Sequence, residues 1–160
     1  MQPYDWTHDQ PKQYVPPLTI PEDFRDFWRE TLAELDTISM SSQRQLMDYP
    51  THNIVLYRVS FSGFNNQRLG GWFASPRTTQ SVPGLLVLPG YNWNYHGSLH
   101  DIANWALHGY AAFGLAIPGQ PNSEGQSIFY TSGSVAGWMT QGILDPHTYY
   151  YRSVYANVVR

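Results

Sequence analysis

The chain of 160 residues contains no cysteine and few charged side chains. The lack of cysteine excludes disulfides, cysteine-ligated zinc, iron–sulfur clusters and a thiol nucleophile. Charged residues make up 13% of the chain and the formal net charge is -3, so no basic surface is offered to nucleic acid or an anionic membrane. No stretch approaches the ~18 apolar residues of a membrane span, and residues 1–30 contain no apolar signal-peptide core. These absences predict a soluble, cytoplasmic protein that binds neither nucleic acid nor membrane.

Aromatic and other hydrophobic residues are abundant instead. Six Trp, twelve Tyr and seven Phe make up 16% of the chain, and hydrophobic residues as a class make up 42%. This share is enough to bury a core, and a mass of 18.3 kDa is typical of one modest domain. The composition therefore predicts one folded domain rather than a disordered chain.

The N-terminal part of the chain divides into an arm and a helix. Residues 1–20 are rich in Pro, Gln and Tyr without a period, which predicts an extended arm lying over another part of the molecule. Residues 21–36 follow a helical pattern, with Pro21 and two acidic residues suited to the first turn. The apolar stripe of this predicted helix contains Phe24, Phe27, Trp28, Leu32 and Leu35.

Two segments of period two follow the helix. In residues 55–61, Val, Tyr, Val and Phe alternate with Leu, Arg and Ser, which is typical of a half-buried strand. Residues 63–68 have the Gly and Asn content of a turn, and residues 69–74 return as a second strand. The segment therefore predicts an antiparallel hairpin.

A strand, a helix and a second strand come next. Residues 85–88 are apolar at every position, as in a strand that is covered on both faces. Residues 101–108 predict a short helix that Gly109 ends, and residues 111–117 form a second apolar run without alternation. Together they predict a βαβ unit with parallel strands and a right-handed crossover.

The C-terminal part predicts a helix that no strand follows. After a loop over residues 118–137, Asp145 suits the N-cap and Pro146 the first turn of a helix that extends to the last residue. Two fully apolar parallel strands need neighbours and helices on both faces. The pattern therefore predicts the first half of a larger α/β domain, with an uncovered sheet edge beside residues 85–88 or 111–117.

The loop after the first parallel strand is the most informative place for function, because α/β sheets bind ligands outside the carboxyl ends of their strands. There the chain reads Leu88-Pro89-Gly90-Tyr91-Asn92. A Gly directly after a strand is typical of an ordinary strand-ending turn. In α/β-hydrolases a loop in this position instead donates one of the two N–H groups that bind an oxyanion. The residues alone leave both interpretations open.

A series of motifs extends in order over nearly the whole chain. They are Pro21-Glu22-Asp23-Phe24-Arg25-Asp26-Phe27-Trp28, Gly90-Tyr91-Asn92, His100-Asp101-Ile102-Ala103-Asn104-Trp105-Ala106-Leu107-His108-Gly109-Tyr110, Gly119-Gln120, Gly137-Trp138-Met139-Thr140-Gln141-Gly142-Ile143-Leu144 and Tyr149-Tyr150-Tyr151-Arg152. With these motifs, residues 21–160 resemble the N-terminal half of carbohydrate esterase family 7, the acetyl xylan esterases and cephalosporin C deacetylases.

The resemblance implies an α/β-hydrolase that removes acetyl groups from small acetylated sugars and related esters, without a metal or other cofactor. In this family a Ser-His-Asp triad performs the hydrolysis. Gly90 and Tyr91 match the pair expected to bind the substrate, with the Tyr91 backbone N–H in the oxyanion hole. The family also assembles as a ring-like hexamer, which implies a homo-oligomer here.

The chain departs from the family in two places. The nucleophile elbow G-x-S-x-G is absent, since Ser62, Ser98 and Ser134 all lack the flanking glycines. In the family that elbow follows the strand after the helix at which this chain stops, and the acid and the base come later. We therefore expect residues 21–160 to be a partial α/β-hydrolase domain, inactive alone, whose partner is a missing C-terminal half or further copies. The second departure is Pro118, where the family usually has the Arg of Arg-Gly-Gln.

Two other interpretations compete with the esterase half. His96 and His100 are four residues apart and could ligate a metal from one helical face, but no nearby carboxylate completes the set. We therefore expect no metal site. The aromatic content and the uncovered sheet edge also suit a non-catalytic half-domain that binds carbohydrate or docks in an assembly. We prefer the esterase half, because core and subunit contacts in the family explain most of the aromatics.

Overall fold

The computed structural model describes residues 6–92, 98–120 and 137–160. Within these ranges five strands form one mixed sheet in the order β1-β2-β3-β5-β4, in which β4 and β5 are parallel and the other neighbours are antiparallel. The strands are β1 (Gln43–Met47), β2 (Ile54–Ser62), β3 (Arg68–Pro76), β4 (Gly84–Val87) and β5 (Ala111–Leu115). The helices are α1 (Gln10–Gln13), α2 (Phe24–Asp36), α3 (Ser98–Leu107) and α4 (Tyr150–Val159), with 3-10 turns at Phe64–Asn66 and Trp138–Thr140. This is the predicted fold class, the N-terminal half of an α/β-hydrolase fold with an incomplete sheet.

Helices α3 and α4 pack on opposite faces of the sheet. Successive side chains of a strand point to opposite faces, so the same strands supply apolar residues to both helices. On one face, Ile102 of α3 belongs to a buried core with Leu56 and Ala74. On the other face, Val154 of α4 belongs to a second core with Phe61. The α/β layering therefore arises from two separate apolar cores, one on each face.

Helix α2 is the predicted N-terminal helix, although it begins at Phe24 rather than Pro21. It packs on α4 and on the first 3-10 turn. The buried members of that contact are Leu35, Phe64 and Ala156. Thr31 is also fully buried, which the apolar stripe does not predict. Its hydroxyl donates to the carbonyl of Phe27 at 2.8 Å, and this bond makes a polar residue acceptable in the core.

Residues 6–20 are the described part of the predicted arm, and they are exposed throughout. They contain one helical turn, α1, which the sequence pattern does not predict. Pro11 lies in the first turn of α1, where a missing N–H costs nothing. The Thr7 N–H donates to Gln10 Oε1 at 2.7 Å at the same end. The predicted covering role of the arm stays a prediction.

The predicted hairpin is confirmed as β2 and β3. These strands pair along their whole length, from Ile54 opposite Pro76 to Ser62 opposite Arg68. Strand β1 adds a further antiparallel pair that the sequence pattern does not predict. Its first residues, Gln43-Arg44-Gln45, are polar and exposed, as suits an outer strand.

The predicted βαβ unit is confirmed as β4, α3 and β5. Helix α3 begins at Ser98, three residues before the predicted start, and Gly109 ends it with a φ of +94°. The Tyr110 N–H donates to the Trp105 carbonyl at 3.1 Å, which completes a Schellman motif. Strand β4 is an outer strand whose Leu86 is 48% exposed, although its apolar run predicts cover on both faces. Of the two strands of the βαβ unit, β4 is therefore the one with an unpaired edge in the described sheet.

The predicted start of the last helix is wrong. Helix α4 begins at Tyr150 rather than after Asp145. The Asp145 carboxylate accepts the His147 N–H at 2.8 Å, and its carbonyl accepts the Thr148 N–H at 3.1 Å. These bonds close a single turn that does not continue as a helix, because Tyr149 has extended backbone with a ψ of 130° and the Tyr150 N–H donates to the Gln141 carbonyl. Pro146 then lies in the turn.

Replacing Gly71 with alanine will destabilise the sheet by about 1–3 kcal/mol. A Cβ on Gly71 would lie 2.5 Å from the Phe113 ring and 2.6 Å from the Gly114 carbonyl oxygen, which belongs to the paired backbone of β5. Gly84 of β4 is the matched control, because a Cβ there meets nothing within 4 Å. Urea unfolding followed by tryptophan fluorescence measures both variants. Equal midpoints for Gly71→Ala and the wild type would contradict the close packing of β3 on β5.

Candidate functional site

Gly90 and Tyr91 follow the carboxyl end of β4. Strand β5 is parallel to β4, so the carboxyl ends of the two strands lie side by side. The segment after β5 therefore lies beside the loop after β4. A cavity of about 200 Å³ opens at this edge. Its lining comes from the two strand ends and the first turn of α3: Val87, Leu88, Pro89, Gly90, Ser98, Asp101, Gly114 and Leu115.

Tyr91 is the central residue of the candidate site. Its side chain is 51% exposed, and its ring meets the Trp138 ring edge to face with the centroids 5.2 Å apart. Among the described residues, the Tyr91 backbone N–H has no hydrogen-bond acceptor. The next residue, Asn92, has a φ of +61°, a left-handed conformation in which asparagine is enriched. The chain therefore turns directly after the candidate donor.

Gln120 joins the loop after β4 to the segment after β5. Its side chain is 8% exposed. Its Oε1 accepts the Asn92 N–H at 2.9 Å, and its Nε2 donates to the Tyr150 hydroxyl at 3.3 Å. That hydroxyl donates in turn to the Pro118 carbonyl at 3.0 Å. These buried polar groups supply one another's hydrogen bonds. They therefore hold together the loop after β4, the segment after β5 and the start of α4.

Trp138 makes a second connection to the loop after β4. Its Nε1–H donates to the Gly119 carbonyl at 2.9 Å, and its ring contacts Tyr91. Gly119 has a φ of +80°, which favours glycine. Pro118, which stands where the family usually has Arg, fits this arrangement because the accepting groups are the backbone carbonyls of residues 118 and 119, and proline retains its carbonyl.

The three tyrosines at the start of α4 divide between the core and the surface. Tyr150 is fully buried, whereas Tyr149 and Tyr151 are half-buried. Burial raises the pKa of Tyr151 above its ordinary value, and the nearby phenols of Tyr149, Tyr91 and Tyr155 raise this pKa further. Because the ordinary tyrosine pKa is already about 10, Tyr151 is neutral at pH 7.

The remaining candidate residues lie elsewhere in the chain. His100 is exposed on α3, and His96, the other histidine of the pair for which no metal site is expected, lies outside the described residues. Ser134 and the rest of residues 121–136, which make up most of the predicted loop, also lie outside them. In the described ranges, no three His, Asp or Glu side chains come close enough to hold a metal ion. Nor does the described part of the chain contain a helix long and apolar enough to cross a membrane.

Sequence reasoning missed the contacts of Gln120, Tyr150 and Trp138. Position along the chain could have indicated Gln120, because it follows a strand parallel to β4, and the carboxyl ends of parallel strands meet at one edge. No comparable signal exists for Tyr150 and Trp138. Their contacts depend on how the C-terminal segment folds back onto the sheet.

Comparison with known proteins adds to this geometry. The sequence model of the family described as acetyl xylan esterase (AXE1) matches residues 1–160. The solved acetyl xylan esterase from Paenibacillus sp. R4 is 33% identical, with a TM-score of 0.84, over 94% of this chain and 49% of that chain. Acetyl xylan esterase 1 from Thermoanaerobacterium sp. JW/SL YS485 shares the fold with a TM-score of 0.83 at 21% identity, over 96% and 48%. This chain, which spans about half the length of those two structures, belongs to the acetyl xylan esterase family.

Proposed function

We propose that this chain forms the oxyanion-binding half of an acetyl esterase of carbohydrate esterase family 7. A catalytic half, the segment with the serine elbow, the acid and the base, completes the site. The observation that supports the proposal most is the Tyr91 N–H at the carboxyl end of β4, without an acceptor among the described residues. An oxyanion hole requires such a preorganised donor beside the nucleophile.

The proposed reaction is acyl transfer in two steps. The serine oxygen of the catalytic half bonds to the acetyl carbonyl carbon while histidine takes the serine proton. The carbonyl oxygen becomes an oxyanion, to which the Tyr91 N–H donates a hydrogen bond. The ester bond then breaks, and the sugar oxygen leaves with the proton from histidine. Water attacks the acetyl-serine by the same route, which releases acetate and restores the serine.

The open edge of β4 is where we propose that the catalytic half docks. Strand β5 lies between β3 and β4, whereas β4 pairs with β5 alone in the described residues. A parallel strand added to β4 would have its carboxyl end beside that of β4, next to Gly90. A serine in a sharp turn directly after that strand would then lie next to the Tyr91 N–H, as a nucleophile elbow requires.

The proposed substrates are acetylated xylo-oligosaccharides and related acetyl esters such as cephalosporin C. Family membership supports a carboxylic-ester hydrolase, and the resemblance of residues 21–160 to carbohydrate esterase family 7 supports the narrower choice. The same resemblance supports a ring-like hexamer for the whole protein. A cytoplasmic location is proposed with it.

The chain alone is expected to hydrolyse 4-nitrophenyl acetate no faster than buffer, because it contains no G-x-S-x-G serine. The same residues followed in one polypeptide by a family catalytic half, here called the joined enzyme, are expected to hydrolyse this ester rapidly. Release of 4-nitrophenolate measures both, and a serine-reactive phosphonate should abolish the activity of the joined enzyme. Hydrolysis by the chain alone that the phosphonate abolishes would contradict the proposal. A folded joined enzyme that does not hydrolyse the ester would contradict it too.

A non-catalytic half-domain for assembly or carbohydrate binding is the second candidate. Leu86 and Leu88 are about half exposed beside the open edge of β4, and such edges pair with other chains. This candidate predicts self-association in sedimentation and a change in tryptophan fluorescence with xylo-oligosaccharides. A monomeric chain whose fluorescence does not respond to these sugars would exclude it.

A further inference from the structure

We propose that Gln120 and Tyr150 are positioning residues that hold the Tyr91 N–H in place for the oxyanion. The inference rests on the proposed function, since the position of this donor matters only if it binds an oxyanion. Neither side chain is assigned a contact with the reacting atoms. Both act through Asn92, the residue directly after the donor.

Gln120 restrains the backbone next to the donor. Its Oε1 accepts the Asn92 N–H at 2.9 Å, while Asn92 holds the left-handed conformation at a φ of +61°. The Asn92 N–H belongs to the planar peptide group that joins Tyr91 to Asn92. A hydrogen bond to this N–H therefore limits the rotation of that peptide group, and with it the backbone of Tyr91.

Tyr150 stabilises the orientation of the Gln120 amide in which Oε1 faces Asn92. Its hydroxyl gives its single proton to the Pro118 carbonyl at 3.0 Å, so toward Gln120 it can only accept. The group that lies 3.3 Å from this hydroxyl is therefore Gln120 Nε2, which leaves Oε1 for Asn92. Because the Tyr150 side chain is 1% exposed, core packing holds the hydroxyl in place.

Loss of this restraint is expected to affect the transition state more than substrate binding. Oxyanion donors lie about 2.7–3.1 Å from the oxyanion, and a displacement of about 1 Å costs roughly 10²-fold in rate. Binding of the uncharged ester depends much less on this distance, because its carbonyl oxygen carries only a partial negative charge. The expected signature is a lower kcat with a nearly unchanged KM.

The test compares Gln120→Leu and Tyr150→Phe with the control Tyr149→Phe in the joined enzyme. Tyr149 donates to the Met139 carbonyl at 3.0 Å, so the control removes one hydroxyl and one hydrogen bond from the same tyrosine run. With 4-nitrophenyl acetate we expect kcat to fall about tenfold or more for Gln120→Leu and about threefold for Tyr150→Phe, with KM within about twofold. The control should retain the wild-type kcat.

Hydrogen exchange of the Asn92 amide, measured by NMR, is the second readout. We expect exchange to be about tenfold faster in Gln120→Leu, less accelerated in Tyr150→Phe and unchanged in Tyr149→Phe. Tyr150→Phe keeps the buried ring, so the test stands even where Gln120→Leu fails to fold. Wild-type kcat together with wild-type exchange in Tyr150→Phe and in any folded Gln120→Leu would overturn the inference.

The two proposals fail in different ways. A folded joined enzyme without esterase activity overturns the proposed function, and the oxyanion role assigned here with it. An active joined enzyme in which the Gln120 and Tyr150 variants behave like the Tyr149→Phe control overturns only the positioning role.

Discussion

Replacing the peptide bond between Gly90 and Tyr91 with an ester bond, which removes the Tyr91 N–H, will lower kcat of the joined enzyme by about 10²–10³-fold. This corresponds to a loss of about 2.7–4 kcal/mol of transition-state stabilisation. Incorporating the α-hydroxy acid analogue of Tyr91 replaces the N–H by oxygen and keeps the side chain. The oxyanion then loses a donor and meets an oxygen lone pair instead. Steady-state hydrolysis of 4-nitrophenyl acetate measures the loss.

Tyr91→Phe is the control for the ester substitution, because it removes the phenol hydroxyl and retains both the N–H and an aromatic ring beside Trp138. We expect this variant to keep kcat within about threefold of the wild type. A loss as large as that of the ester would assign the effect to the phenol. Wild-type kcat in the ester variant would contradict the oxyanion role of Tyr91.

Replacing Arg152 with methionine will destabilise the chain by about 2–4 kcal/mol. Arg152 Nε donates to the Thr31 hydroxyl at 3.0 Å, and Nη1 donates to the His147 carbonyl at 3.0 Å. Nη2 forms an ion pair with Glu34 at 2.8 Å. The Arg152 side chain is 10% exposed. Its removal therefore leaves these acceptors without their hydrogen-bond donor in a place that is partly shielded from water. Urea unfolding followed by tryptophan fluorescence measures the change.

Arg152 also lies over two aromatic rings, which adds to the expected loss. Its guanidinium carbon is 5.5 Å from the ring centroid of Phe27 and 4.8 Å from that of Phe64. Methionine retains apolar contact there but loses the cation–π attraction.

Arg29→Met is the control for Arg152, because Arg29 pairs with Asp26 at 2.9 Å on the exposed face of α2. Such surface pairs contribute about 0–1 kcal/mol. The Arg29 variant should therefore unfold close to the wild type. Equal losses from the two substitutions would contradict a stabilising role for the contacts of Arg152 with Thr31 and Glu34 of α2.

Strong periodicity made most of the fold predictable. Helix α2 and the β2–β3 hairpin each keep one period over enough residues to bury one face, and the two strands of the βαβ unit are uninterrupted apolar runs. Strand β1 lacks that signal, because its Gln43-Arg44-Gln45 stretch is exposed at the outside of the sheet. The predicted start of α4 is wrong because Asp145 followed by proline suits both an N-cap and a turn. The extended backbone of Tyr149 ends that turn before α4 begins.

By itself the sequence determined the family, the α/β architecture and the position of Gly90 and Tyr91 directly after a strand, since these depend on local patterns and on ordered motifs. Only the tertiary structure decided what holds that loop. The hydrogen bonds from Asn92 to Gln120 and from Gln120 to Tyr150 span 28 and 30 residues. A hydrogen bond requires its two atoms to lie within about 3 Å, and for groups so far apart in the chain this distance is set by the packing of β5 and α4 against the sheet.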